Sequence, residues 1–329
     1  MEFRPISRLA GAFQETVTAD DLTAICARVF GLKSRPLTAT ELGTGQYNTT
    51  YRVQLDGHAD PVVVRVAPEP GKQFRSEWQL MRNEYASLPW LAPLAPLMPS
   101  VIAADWSHEL IGRDYLVQTF LPGVPAPDHL SNYPRPAWAG FFQQLGEIAR
   151  AVHGIRGPHF GPVNGPGAPT WSTALVAGFD DIAADVEAAG LDAADLRKVS
   201  AVVVARRSVF DEVEQARMLA GDLWTVNVML DRDAPVPTIT GVLDLDRTWW
   251  GDPAADWTIR MASAKPGTER DAFWDSYGSL DRSIAAQLRA RVYEARHLGA
   301  VRLERHRLGN IEGVESTYRD LEALLADLS

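Results

Sequence analysis

The sequence predicts an α+β chain of two lobes. A smaller N-terminal lobe is built on an antiparallel β-sheet with one main helix, and a larger, mainly helical C-terminal lobe carries a β-hairpin. Three observations lead there. Short strand-like runs and turn signals alternate over the first third of the chain. From residue 138 onward, apolar residues recur at helical spacing. Within that helical half, Met218-Leu-Ala-Gly-Asp-Leu-Trp-Thr-Val-Asn-Val-Met-Leu-Asp231 and Gly241-Val-Leu-Asp-Leu-Asp-Arg247 hold two strand-like runs, 228–230 and 239–245. A hairpin made of these runs gathers Asp222, Asn227 and Asp244, an oxygen-rich set of the kind hard divalent cations prefer.

The chain has 329 residues, enough to bury a core in each of two lobes, taken as 1–120 and 121–329. With 46% hydrophobic and 22% charged residues it reads as an ordered globular protein. The formal net charge of -10 disfavours a nucleic-acid partner. It leans weakly toward a cationic substrate, with general solubility the simpler explanation. The single cysteine, Cys26, excludes an intrachain disulfide framework and a cysteine-rich zinc site, which fits a reducing cytoplasm. Residues 1–16 carry Glu2, Arg4, Arg8 and Glu15 and lack a signal-peptide core. No window approaches the roughly 18 apolar residues of a membrane span. A cytoplasmic protein with no membrane partner is expected.

Residues 18–30 read as an amphipathic helix with Leu22, Cys26 and Val29 on one face, a threonine or aspartate to cap it and Gly31 to end it. A turn with Gly43 and Gly45 follows, then a strand through Tyr51, Val53 and Leu55, the Asp56-Gly57 turn, and a strand over 61–66. Glycines let backbone N–H groups approach phosphate oxygens, although two glycines alone fit a plain hairpin equally well. Arg65 interrupts the apolar run of the second strand, and a strand interior rarely carries a charge without a partner. A helix over 74–88 would place Glu77 and Glu84 on one face, and Glu84, beside Leu80, Met81 and Leu88, is the expected partner of Arg65. A proline-rich connection, strands over 101–106 and 114–121, and a hinge near 118–123 complete the smaller lobe. The second half starts with a helix over 138–153, where His153 is expected to be structural or a C-cap. An ordered loop spans 157–171, and helices are expected over 173–189 and 192–216. After the hairpin, 249–257 is expected to turn into a helix. Residues 270–328 are expected to be helical, with solvated faces accounting for most of their arginines.

Together these pieces resemble the aminoglycoside phosphotransferase/choline kinase family, which has a bilobal, protein-kinase-like fold. The resemblance covers roughly residues 42–257. It rests on Ala220-Gly-Asp-Leu-Trp-Thr-Val-Asn-Val-Met-Leu230, against a family pattern usually reading His-Gly-Asp-x-x-x-x-Asn, and on Gly241-Val-Leu-Asp-Leu-Asp-Arg-x-x-x-Gly-Asp-Pro253 with Asp256 after it. The order of the two motifs is that of a kinase catalytic loop and its metal-binding aspartate.

The resemblance implies transfer of the γ-phosphate of ATP, or of GTP, to a hydroxyl of a small molecule. It makes Asp222 the catalytic base or hydroxyl-orienting carboxylate, and Asn227 and Asp244 ligands of Mg²⁺. Asp246 would support the metal or the loop, and Asp256 would brace the catalytic loop from within. Gly43, Gly45, Asn48 and Thr49 would cover the phosphates, Arg65 with Glu84 would hold them, and Gln118 and Phe120 lie where the base would be bound. Trp224, Trp249 and Trp250 offer an aromatic wall for the acceptor, or serve packing. Two departures stand out: Ala220 where the family usually has histidine, and Arg65 where kinases usually have lysine. The expected acceptor is an aminoglycoside or another sugar- or nucleoside-containing antibiotic. The alternatives are a metabolic kinase of a sugar, amino sugar or amino alcohol, and a non-catalytic binding protein on the same fold. A protein kinase is disfavoured, because the loop lacks His-Arg-Asp and no Ala-Pro-Glu segment follows.

Overall fold

The computed structural model describes residues 1–8, 12–43 and 45–328. The chain divides into two compact units, Met1–Gln73 with Leu97–Pro122, and Phe74–Pro96 with Gly123–Ser329.

The smaller unit holds strands β1 (Glu2–Arg4), β2 (Pro36–Leu42), β3 (Thr49–Leu55), β4 (Val62–Val66), β5 (Val101–Asp105) and β6 (Tyr115–Thr119), and one main helix, α1 (Ala19–Phe30). The strands form one sheet in the order β1-β2-β3-β4-β6-β5. It is antiparallel except at the β1–β2 pair, which is parallel and makes the sheet mixed. Helix α1 starts where the sequence says it should. Thr18 Oγ1 accepts from Asp21 N–H while Asp21 accepts from Thr18 N–H, a reciprocal cap that stabilises by about 1 kcal/mol. Its Leu22, Ile25 and Cys26 share a core with Tyr51, Val53 and Val64 of the sheet. Strand β4 lies between β3 and β6 and is buried along its whole length, which explains an apolar run that only Arg65 interrupts.

The larger unit begins with α2 (Leu80–Ser87) and a short strand β7 (Val124–Pro125). Helices α3 (Ala126–His129), α4 (Trp138–Gly154), α5 (Trp171–Ala188), α6 (Ala194–Ala205) and α7 (Arg207–Phe210) follow, with strand β8 (Gly161–Pro162) between α4 and α5. Next come β9 (Arg217–Leu219), β10 (Val228–Leu230), β11 (Ile239–Val242) and β12 (Trp249–Gly251). Helices α8 (Trp257–Ser263), α9 (Ala272–Tyr277), α10 (Ile284–Arg307) and α11 (Ile311–Leu328) close the chain. Two small sheets, β11-β10-β7 and β8-β12-β9, interrupt the helices.

Several sequence expectations change here. The helix over 74–88 is broken: Gln79 is left-handed (φ 57°), and α2 starts only at Leu80. The Asp185 carboxylate of α5 accepts from Arg75 N–H and Ser76 N–H, each at 2.9 Å, and so caps the short turn Arg75–Glu77 that precedes the break. Glu77 and Glu84 therefore do not share a helix face. Asp185 and Asn83 also tie residues 74–96 to the larger unit, across the division drawn at residue 120. The run 239–245 is strand only to Val242, and the helix over 192–216 stops at Ala205. Residues 249–251 form a strand before the chain reaches α8. The terminal arginines are not all solvated. Arg302 is fully buried, its guanidinium bonded to Asp195 at 2.6 and 3.0 Å and to Thr317 at 3.0 Å. No helix among the described residues is long and apolar enough to cross a membrane.

Candidate active site

The loop between β9 and β10 turns on Gly221, whose φ is +79°. A Cβ there would lie 2.1 Å from the Arg247 carbonyl oxygen, so the close approach admits only glycine. Asp222 follows, half-buried. Asn227 Nδ2 donates to the Asp222 backbone carbonyl at 2.9 Å and to its carboxylate at 3.0 Å, which closes the loop on itself. The β10–β11 hairpin pairs Val228 with Val242, and Leu243 N–H donates to the Asn227 carbonyl at 2.8 Å. Asp244 thus follows one residue after the partner of Asn227. It is left-handed (φ 53°, ψ 49°), a conformation that aspartate tolerates at some cost. Asp246 lies in the next turn, buried. The alternation that would put it on one strand face with Asp244 does not apply, because the strand has already ended.

Burial is the main cause that pushes the Asp222 carboxyl up to about 7, and the Asp244 carboxylate pushes the same way. The Arg247 guanidinium and the Asn227 amide oppose it. Arg247 is bonded to Glu77 at 2.8 Å, and Glu77 also bonds Arg307 at 2.5 Å. Burial works against the Arg247 charge, but the carboxylates of Glu77, Asp246 and Asp222 hold the guanidinium well above its ordinary range.

Beneath the loop lies Asp256, which is 1% exposed. One oxygen accepts from Ala220 N–H at 2.6 Å and from His153 Nε2 at 2.8 Å. The other accepts from Gly221 N–H at 3.1 Å and from Thr258 N–H at 3.2 Å, which also caps α8. Burial alone would raise this carboxyl, yet His153 and the backbone donors keep it below its usual value. Bonded to an ionised carboxylate, Nε2 carries the proton. His153 Nδ1 meets the Tyr277 hydroxyl at 2.7 Å. Thr258 Oγ1 donates to the Leu223 carbonyl at 2.7 Å. Residue 220 thus enters the brace through its backbone alone, and the imidazole comes from the end of α4 instead.

Asn83, which sequence reasoning passed over, fastens the segment after Asp244. Its amide donates to the Asp246 carbonyl at 2.8 Å and to the Thr248 carbonyl at 3.0 Å, and its oxygen accepts from Asn164 N–H at 2.8 Å. The available signal was Asn83 and Ser87 on the same helix face as Leu80, polar groups at core positions. Glu84 is also buried on α2.

The three tryptophans separate. Trp250 is 1% exposed, edge-on to Trp90 at 5.1 Å, so it cannot form a wall for an acceptor. Trp224 is half-buried, edge-on to Trp257 at 6.4 Å, and lines a small apolar pocket with Phe142 and Phe273. Trp249 is half-buried and carries the Arg296 guanidinium over its ring at 4.2 Å.

The remaining expected residues belong to the smaller unit. Gly43, Gly45, Asn48 and Thr49 lie in or beside the β2–β3 connection, with Thr44 outside the described residues. Arg65 is 4% exposed in β4, opposite Thr50 and Leu116. Gln118 is buried in β6, and Phe120, just past it, lies under the Arg52 guanidinium at 5.0 Å.

Among the described residues no group of three His, Cys, Asp or Glu side chains is arranged to hold a metal. Mg²⁺ takes one or two carboxylates and completes its shell with water and phosphate oxygens. Asn227 spends its N–H₂ on Asp222 and keeps its carbonyl oxygen, and Asp244 adds a carboxylate, so the donor set fits.

A family model described as the phosphotransferase enzyme family matches residues 38–294. No curated protein sequence matches the chain. Among solved structures, the GDP complex of wild-type aminoglycoside 2'-phosphotransferase-IIIa aligns with a TM-score of 0.61 at 16% identity, covering 93% of this chain and 97% of that one. A thermostable variant of aminoglycoside phosphotransferase APH(4)-Ia, bound to AMP-PNP and hygromycin B, aligns at 0.60 with 17% identity, covering 94% and 98%. A Haemophilus somnus protein assigned as a fructosamine-3-kinase aligns at 0.62 with 16% identity, covering 92% and 96%. At such identities the likeness is one of fold.

Proposed function

The chain belongs to the phosphotransferase enzyme family, and from that premise we propose that it moves the γ-phosphate of ATP to a hydroxyl of a small molecule. The observation that carries the reading is Asp222 bonded to Asn227 on a loop braced from below by Asp256, with left-handed Asp244 brought beside them by the hairpin.

Phosphoryl transfer asks little covalent chemistry of a protein and much positioning. In this reading Asp222 orients the acceptor hydroxyl and takes its proton as the oxygen bonds to the γ-phosphorus and the phosphorus–oxygen bond to the departing ADP breaks. Asn227 keeps the Asp222 carboxylate turned to that task. Asn227 and Asp244 would hold Mg²⁺, which when bound offsets the charge of the phosphates. Gly43, Gly45, Asn48, Thr49 and Arg65 would hold the phosphates, Glu84 would support Arg65, and Gln118 with Phe120 would bind the base, of ATP or of GTP. The AMP-PNP and GDP complexes of similarly folded proteins support a nucleotide of either kind.

The acceptor we favour is an aminoglycoside or another sugar- or nucleoside-containing antibiotic, in keeping with the hygromycin B complex of a protein of the same fold. A metabolic kinase of a sugar, amino sugar or amino alcohol is the second reading. It is favoured by the fructosamine-kinase likeness. Coupled ADP release over a panel of aminoglycosides, sugars, amino sugars and amino alcohols tests both, with Asp222→Ala as the control. Mg-dependent turnover of one class, lost in the control, selects its reading. Absence of turnover with every hydroxyl compound sinks both and leaves a non-catalytic binding protein.

A further inference from the structure

Inside the smaller unit, residues 12–17 run beside the β2–β3 connection and are bonded to it repeatedly. Gln14 Nε2 donates to the Gly45 carbonyl at 3.1 Å and to the Asn48 carbonyl at 2.8 Å. Thr49 Oγ1 donates to the Glu15 carbonyl at 3.0 Å, and the Tyr51 hydroxyl donates to the Val17 carbonyl at 3.3 Å. The rings of Phe13 and Tyr47 meet at 5.4 Å. Lys72 holds the same segment: its ammonium donates to the Ala12 carbonyl at 3.2 Å and pairs with the Glu15 carboxylate. That bond is the first cause holding the Glu15 carboxyl below its ordinary value.

The two carbonyls on Gln14 are three residues apart, and at the first of them the connection is open: a Cβ at Gly45 would meet nothing within 4 Å. A peptide unit is planar, so the carbonyl of one residue fixes the direction of the next residue's N–H. By taking the Gly45 and Asn48 carbonyls, Gln14 sets the N–H groups of Gln46 and Thr49 without touching them. These are the groups that a glycine-bearing connection offers to phosphate oxygens.

We propose that Gln14 is a positioning residue for nucleotide binding: its side-chain amide presets the backbone of the β2–β3 connection for the phosphates. The proposal rests on the reading that this connection covers a nucleotide. Gln14 contributes no charge, and both its amide donors end on the backbone of the connection, so its effect falls on phosphate-dependent affinity.

The test is calorimetric titration of the full chain with Mg·AMP-PNP, Mg·GMP-PNP and adenosine, in the wild type and Gln14→Met. Methionine has the length of glutamine but no N–H to donate and no charge. Gln14→Met is expected to weaken triphosphate binding about tenfold, the equivalent of roughly 1.4 kcal/mol. Adenosine binding is expected to stay at its wild-type value. Wild-type triphosphate affinity in Gln14→Met overturns the proposal and leaves the nucleotide reading intact. A parallel loss of adenosine affinity overturns it too, since Gln14 would then only hold the fold. A wild-type protein that binds neither triphosphate defeats the nucleotide reading itself, and this proposal with it.

Discussion

Replacing Asp256 by asparagine probes the brace beneath the loop with the smallest change of shape. Both carboxylate oxygens of Asp256 are acceptors for two donors each, Ala220 N–H and His153 on one side, Gly221 N–H and Thr258 N–H on the other. Asparagine turns one of them into a donor. With its nitrogen toward His153, the imidazole can answer by changing tautomer, but Ala220 N–H, which sat 2.6 Å from oxygen, then faces another N–H. With its nitrogen on the other side, both Gly221 and Thr258 lose their acceptor. Each buried donor left unsatisfied costs about 1–3 kcal/mol, and the bonds that remain lose their charge assistance. The expected loss is about 3–4 kcal/mol in urea unfolding monitored by tryptophan fluorescence. Because Gly221 and Asp222 are consecutive, a shift of the loop by about 1 Å should lower kcat about a hundredfold. The KM for nucleotide should change much less. A variant within about 0.5 kcal/mol of wild type and with unchanged kcat would refute the brace as the device that positions Asp222.

Asp222→Asn should leave the melting midpoint near wild type and lower kcat by about two to four powers of ten in the coupled assay, the span usual for a removed general base. Gly221→Ala should cost more than about 2 kcal/mol in the same urea titration, because the left-handed backbone penalises any Cβ and this one would meet the Arg247 carbonyl at 2.1 Å. His297 supplies a pH dependence. It is buried against Trp257, and burial first, then the Arg296 and Arg260 charges, bring its imidazole down to about 3. A folded value below the unfolded one of about 6.5 means that the unfolded chain binds the extra proton, so stability is full above about pH 6.5 and falls as the pH drops toward 3. The contribution should approach 1.4 kcal/mol per pH unit in urea titrations between about pH 6 and 4, and His297→Gln should flatten the slope by that amount.

How much could be read from the sequence depended on how far apart the partners lie. Helix α1 was legible because Thr18, Asp21 and Gly31 mark its ends locally, and α4 because its periodicity is uninterrupted. The β10–β11 hairpin was legible from two apolar runs, which brought Asp222, Asn227 and Asp244 into view together. The break near Gln79 was hidden, since the Asp185 carboxylate that caps the turn before it lies about a hundred residues later in the chain. The grip of Asn83 on the carbonyls of Asp246 and Thr248 leaves no composition signal beyond a polar residue on an apolar face. Arg302 looked solvated because nothing near it in sequence announces Asp195. Trp250 looked available because an aromatic pair reads the same in a core as in a cleft.

The placement of residues 74–96 bears on how the protein can be taken apart. The backbone passes from one unit to the other at residues 73–74, 96–97 and 122–123, so the smaller unit is not a continuous stretch of the gene. A fragment ending near residue 120 would carry α2 with Asn83 and Ser87 but none of the chain around Thr248 that bonds them. It would also carry Arg75 and Ser76 without Asp185. Recombination with a relative therefore has no single clean crossover. An exchange that keeps these bonds must move residues 1–73 and 97–122 together and leave 74–96 with its own downstream sequence. On the ribosome, likewise, α2 emerges long before its partners and must wait for the β10–β11 hairpin and the strand after it.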